Sequence, residues 1–208
     1  MLTRFFLAGS AALLLSGCAL NPFGTSQAMT SPAGASAVAA TPAINDPRVA
    51  VLTGAGVTAL NGTAVSSYMD LQEVELRADL LNSGVTITRA GGHIALNLPA
   101  NLTFDADKAV VKPGFNATVT AIGAVLKKYD KTMIDVYGYT DSQGPAEANK
   151  DLSQRRAVGV ATVLANQGVD QRRFFIQGRG ASDPIASNAT EVGRAQNRRV
   201  EIQISPLT

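Results

Sequence analysis

Two arginines stand side by side in the run NKDLSQRRAVGVATVL, residues 149–164. At about 100° per residue, Leu152, Ala157, Val160, Val163 and Leu164 cluster on one face of the helix that this run predicts. Asn149, Ser153 and Arg156 fall in the same arc, whereas Arg155 falls outside it and reads as a solvated charge. A guanidinium turned toward a core needs an acceptor, because an unpaired charge taken out of water is costly. The nearest acceptor along the chain is Asp141, in the turn TDSQGP where Gly144 and Pro145 break the chain. An Asp facing an Arg suits a ligand with a free amine beside a carboxylate. The arginine would grip the carboxylate through two parallel hydrogen bonds, and the aspartate would take the ammonium. The same spacing equally suits an internal salt bridge that closes the loop, and spacing alone does not choose between them.

These side chains need elements to hold them. TMIDVYGYT alternates as a strand and delivers Asp141 just past its carboxyl end, where open α/β folds build ligand sites. Upstream, GVTITRAGGHIALNLP alternates on both sides of Gly91-Gly92 and predicts a hairpin. Pro113 opens a helix running to about Asp130, with Phe115, Val119, Ile122, Leu126 and Tyr129 on one stripe. RRFFIQGRG predicts a strand and EVGRAQN a short helix. RRVEIQIS predicts a last strand with Val200, Ile202 and Ile204 on one face, which puts Arg198 on the face of Val200 and Arg199 opposite. Strands alternating with helices after a hairpin give an α/β two-layer sandwich with a mixed sheet.

Ahead of this domain, expected over residues 84–208, the chain changes character. Residues 66–83 predict a helix with Leu71, Val74, Ala78 and Leu81 on one face, an i,i+4 pair between Glu73 and Arg77, and Gly84 as its stop. Residues 48–65 are small and mildly apolar. Their GAGVTA fits a loose dinucleotide fingerprint but lacks a strand–turn–helix setting, so a Gly/Ala-rich helix or a flexible stretch is the plainer reading. Together residues 48–83 form a small-residue segment and helix. Residues 19–47 are rich in Ala, Ser, Thr, Pro and Gly and read as a flexible tether.

Residues 1–17 combine Arg4, an apolar run and small residues, the pattern of a secretory signal. LLSGC resembles the bacterial lipobox, which implies that Cys18 is acylated and becomes the mature N-terminus, with residues 18–47 as lipidated cysteine and tether. Ala19, where an Asp would signal inner-membrane retention, points by the same analogy to the outer membrane, with the domain facing the periplasm. A net charge of +2 with dispersed basic residues and no Trp excludes a nucleic-acid footprint. No cofactor is implied. His93 beside the Gly-Gly turn reads as an exposed turn residue rather than a metal ligand, since zinc sites need several N/S ligands.

GYTDSQGPAEANKDLSQRRAVGVATVL resembles the core of the OmpA-like peptidoglycan-binding domain family, which includes peptidoglycan-associated lipoproteins. Its signature is matched by Thr140, Asp141 and Gly144, by Asn149, Leu152, Ser153, Arg156 and Ala157, and by Asn197, Arg198, Arg199 and Val200, within residues 85–205. The resemblance implies a non-enzymatic binder of the peptidoglycan stem peptide, whose meso-diaminopimelate carries both amine and carboxylate. Asp141 would then receive the ammonium and Arg156 the carboxylate. Asn149 would bond the peptide, Thr140 would join the contact set, and Asp107 in TFDADKAVVKPG would sit at the rim. Arg198 and Arg199 are both implicated, and the resemblance does not say which one reaches ligand. The expected role is a lipid-anchored tether between outer membrane and cell wall. The alternatives are a cell-wall-acting hydrolase, a motor stator anchor, which would need a long apolar span, and an anchor whose active element is the 48–83 segment.

Overall fold

The computed structural model describes residues 46–208. The expected signal segment, Cys18 and the tether as far as residue 45 lie outside the described residues. Asp46 caps the first helix, α1 (Pro47–Gly54), by accepting from the Arg48 backbone N–H, and Pro47 supplies a pre-set φ at its first turn. After α2 (Thr63–Asp79) comes the hairpin of β1 (Thr86–Ala90) and β2 (His93–Pro99). A single helical turn, α3 (Ala100–Thr103), and a loop lead to α4 (Pro113–Lys128) and β3 (Thr132–Tyr139). The long helix α5 (Ala146–Asn166) is followed by a 3-10 turn (Gln171–Arg173), β4 (Phe174–Gly180), α6 (Glu191–Asn197) and β5 (Arg199–Pro206).

The five strands form one mixed sheet in the order β1-β2-β5-β3-β4, antiparallel throughout except for the parallel pair β3/β4. α2, α4 and α5 pack on one face of the sheet around the main core, giving the expected α/β two-layer sandwich, and α1 docks separately. The strand register sets rows of side chains across the sheet. Ile94, Ile204, Ile134 and Phe174 make one row, and Leu96, Ile202, Val136 and Ile176 the next. These residues meet the stripe of α4 and the Ala157, Val160, Ala161 and Leu164 face of α5 in one apolar core.

The third row ends in glycine: Leu98, Val200, Gly138, Gly178. A Cβ on Gly138 would land on the Ser153 carbonyl, and one on Gly178 would strike the Gln154 backbone. The two glycines therefore let α5 close onto the sheet at the carboxyl end of β3. Side chains of α5 complete this approach. Gln154 Oε1 accepts from Gly178 N at 2.6 Å, and Ser153 Oγ accepts from Gly180 N at 2.9 Å. Ser153, which the sequence places with the polar cluster, is fully buried and serves as this clamp.

The structure differs from expectation at the N-terminal side. α2 starts and stops earlier than predicted, and Gly84, at φ +81°, lies in the turn after it rather than at its end. Met69, Leu76 and Leu80 bury into the main core, while Leu71, Val74 and Leu81 face out at 62%, 66% and 75% exposure. The 3-4 spacing had marked the outward face. α1 docks through Leu52 against Met133 and Leu207, and Arg48 bridges Asp46 and Asp135 at 2.6 and 2.7 Å. Arg172 and Arg173 lie in the 3-10 turn, ahead of the strand expected to include them. His93 is half-buried at the start of β2 with Nδ1 2.9 Å from Ser205 Oγ, rather than exposed in the turn.

Candidate functional site

β3 ends at Tyr139, and Thr140 and Asp141 follow immediately, both buried. They open onto a cleft of about 600 Å³ between the first turns of α5 and the loop that leaves α3. The cleft is lined by Phe104, Asp107, Thr140, Asp141, Asn149 and Arg156 among others, with Arg198 at its edge. The α3–α4 loop is closed at its base by a β-bridge between Phe104 and Val111 and by Lys112 N donating to Thr103 O at 2.9 Å. Gly159 lets that loop rest on α5, since a Cβ there would strike the Ala109 carbonyl. Asp107 turns the loop at φ +55°, a left-handed conformation that Asp tolerates better than most residues.

The helical phase separates the two arginines as the sequence predicts. Arg155 is exposed and pairs with Asp151 at 2.9 Å within its own helix. Arg156 is buried, with only 6% of its surface accessible. Its Nε donates to the Lys108 carbonyl at 3.0 Å, and its guanidinium lies 5.3 Å from the Phe104 ring centroid. Burial pulls its pKa below the ordinary arginine value, with Asp107 the largest opposing influence and Asp141 a smaller one. It remains a cation at neutral pH. Among the described residues, none accepts a hydrogen bond from its Nη1 or Nη2. The fork that would grip a carboxylate is therefore unengaged.

Asp141 does not bond Arg156, which corrects the internal salt bridge considered from the sequence. Its Oδ2 accepts from Arg198 Nη1 at 2.6 Å, and its Oδ1 accepts from the Gln143 backbone N–H at 3.0 Å. Asn149 uses its amide N–H groups within the loop, donating to the carbonyls of Gln143 at 2.8 Å and Asp141 at 3.4 Å. Only its carbonyl oxygen is left for a ligand. Thr140 lines the cleft, and its buried Oγ1 has no hydrogen-bond partner among the described residues.

The two C-terminal arginines part company. Arg198 precedes β5 rather than alternating with Val200, and its backbone carbonyl accepts from Ala100 N at 2.9 Å. It reaches Asp141 and also Glu191, at 2.8 Å. Arg199 does not line the cleft. It is buried on the side of the sheet opposite α5, 3.7 Å from the Tyr139 ring centroid, with Glu201 at 3.6 Å. Sequence reasoning missed the role of Asn197. Its Oδ1 accepts from Ile185 N and Ala186 N at 2.9 and 3.0 Å, and its Nδ2 donates to Ala186 O and Asn188 Oδ1. Asn188 Oδ1 in turn accepts from Ser142 N at 3.3 Å. Asn197 thus ties the loop before α6 to the loop after β3, and the only sequence signal was its place beside the arginines.

Comparison with known proteins agrees with this geometry. The OmpA family model matches residues 103–198. The chain is 45% identical over 207 residues to the probable lipoprotein YiaD of Escherichia coli, covering 95% of this chain and 94% of that one. It is 46% identical over 104 residues to outer membrane porin F of Pseudomonas fluorescens, covering 50% of this chain and 32% of the porin. The solved structure of the cell wall anchor of the T6SS from Pseudomonas aeruginosa superposes with a TM-score of 0.58 at 31% identity, covering 64% of this chain and 96% of that one. With the family model matched over residues 103–198 and similarity to a relative running nearly the full length of both chains, the chain belongs to the OmpA family.

Proposed function

We propose that this chain is a lipid-anchored, non-catalytic tether that holds the outer membrane to peptidoglycan through the diaminopimelate of the stem peptide. The observation that carries the reading is the contrast across the cleft. Arg156 offers an unengaged guanidinium fork, and Asp141 offers a carboxylate held by Arg198 and the Gln143 amide. A zwitterionic carbon bearing an ammonium and a carboxylate complements both. The carboxylate takes two parallel hydrogen bonds from Arg156, and the ammonium approaches Asp141. The Asn149 carbonyl oxygen supplies a neutral partner, Thr140 lines the cleft with its Oγ1 covered, and Asp107 adds a second acidic group at the rim. Arg198 acts through Asp141, and Arg199 supports the sheet beneath Tyr139.

The similarity to a probable lipoprotein, to an outer-membrane porin and to a cell wall anchor supports an envelope protein that holds the wall. Acylation of Cys18 would hold the chain at the outer membrane, with residues 84–208 as the binding domain in the periplasm. Among the described residues, no helix is long and apolar enough to cross a membrane. Each site would bind modestly, and many copies on one membrane would give avidity.

Co-sedimentation with insoluble peptidoglycan tests the reading. Detergent-solubilised chain should pellet with the wall, be displaced by free meso-diaminopimelate, and lose binding on Asp141→Ala. Release of soluble wall fragments by the wild type would favour a hydrolase instead. Failure of the well-folded wild type to pellet would remove the wall ligand altogether.

A further inference from the structure

α2 has two apolar faces, and only one is used by the domain. Met69, Leu76 and Leu80 bury inward with Gln72. On the other side Ala64, Ser67, Leu71, Val74 and Ala78 recur at spacings of 3, 4, 3 and 4, Leu81 extends the stripe into the turn just past the helix, and all are exposed. That is the heptad seam by which two helices pack. The inward face falls opposite the seam, so a partner helix could approach without disturbing the core.

We propose that this face is a self-association surface on which α2 packs antiparallel against α2 of a second copy. The residues select both the partner and the direction. A two-fold axis between Leu71 and Val74 sets each Leu71 against Val74 of the other copy, Ala78 against Ser67, and Leu81 against Ala64. Leu71 then lies opposite the smaller Val74, and Leu81 over Ala64, while Ala78 and Ser67, both small, let the two helices approach closely between those layers. The same register brings Asp70 beside Arg77 of the second copy, twice by symmetry. Both are exposed, at 67% and 51% of their side chains; Asp70 is tied to Arg89 at 3.4 Å, and Arg77 to Glu73 at 2.7 Å and to the Ile87 carbonyl at 3.2 Å. A parallel pair would instead set Asp70 against Glu75 of its partner, which repels. A lipid surface is a poor occupant, because Asp70, Glu73, Glu75 and Asp79 outnumber Arg77 on this helix, the reverse of a membrane-seeking amphipathic helix.

The seam is short. Seventeen residues span about 26 Å, and such a contact falls below the roughly 1,200 Å² of a stable complex. Association therefore depends on the high effective concentration of copies sharing one surface, and the wall cleft takes no part in it.

The test uses the full chain in cells. Copies carrying Leu71→Cys and Val74→Cys, with different epitope tags, are co-expressed and mildly oxidised. The mixed pair should form a disulfide dimer at least about tenfold faster than either variant alone. Adding Ala78→Glu and Leu81→Glu, both at exposed positions, should abolish that dimer while thermal unfolding and peptidoglycan sedimentation stay unchanged. No dimer above the wild-type background overturns the proposal. Val74→Cys copies linking only to one another overturns the antiparallel register. Capture of a product heavier or lighter than two copies shows that another protein occupies the face and overturns self-association.

Discussion

Arg198 Nη1 donates to Asp141 Oδ2 at 2.6 Å, joining the end of α6 to the loop after β3 across 57 residues. The contact fixes the acidic half of the cleft from outside, so that the Arg156 fork faces a carboxylate that is already oriented. Arg198 is partly exposed while Asp141 is nearly covered. Solvent screening limits the worth of such a pair to about 1 kcal/mol. Arg198→Ala should lower stability by about that amount in urea titration, and should weaken wall sedimentation by roughly tenfold at most. Binding equal to wild type would show that Asp141 needs no external orientation.

Arg156 and Arg155 give the sharpest comparison. Charge-assisted hydrogen bonds contribute about 1.5–3 kcal/mol, so Arg156→Ala should weaken peptidoglycan binding by roughly ten- to a hundredfold. Arg155→Ala, which removes only an exposed pair with Asp151, should leave binding within about twofold. Arg156→Lys should not rescue, because an ammonium cannot make two parallel bonds to one carboxylate. Binding isotherms on purified wall read all three, and equal effects of the two alanine variants would remove Arg156 from the site.

Gly138 carries a prediction about position rather than chemistry. Alanine there would press on the Ser153 carbonyl and force α5 away from the sheet, at a cost of about 1–3 kcal/mol. Asn149 and Arg156 ride on that helix. Gly138→Ala should therefore lower both the melting temperature and wall affinity, although the residue lies under the helix and not in the cleft. Calorimetry together with sedimentation separates the two losses, and unchanged affinity in the folded fraction would mean that α5 placement tolerates the shift.

Tyr139 should give the fold an alkaline limit. Burial pushes its phenol up to about 12, with Glu201 adding to the rise and Arg199 opposing it. The unfolded phenol loses its proton near pH 10. A folded pKa raised above the unfolded one contributes stability that is complete below pH 10 and is lost as pH climbs toward 12. Tyr139→Phe should flatten this part of the stability profile, measured by denaturant titration between pH 9 and 12. An ultraviolet titration that showed no late-ionising tyrosine would contradict the assignment.

Cys18→Ala should move the chain from the membrane to the soluble fraction, since the proposed acylation site is gone. Fatty-acid labelling in cells checks it. Unchanged membrane sedimentation with unchanged labelling would place the anchor elsewhere.

Much of the fold and half of the site were legible along the chain, for a local reason. Helical and strand periods are properties of consecutive residues, so the α4 stripe, the hairpin around Gly91-Gly92, the Val200, Ile202 and Ile204 face and the inward phase of Arg156 could be read from spacing. Asp141 could be placed near α5 because a short loop leaves few alternatives. What the tertiary structure decided was which distant groups meet. Asp141 pairs with Arg198 rather than Arg156, because the α6 turn and the Asn197 network bring residue 198 to the loop after β3. Arg199 falls opposite Val200, as strand alternation predicts, but only the packing shows that it meets Tyr139 there and that Arg198, which precedes the strand, is the one at the cleft. In α2 periodicity found an apolar stripe but not its direction. A helix with apolar residues on two sides has two possible inward faces, and the choice fell to Met69 and Leu76, whose side chains fit the gap against α4 and β2.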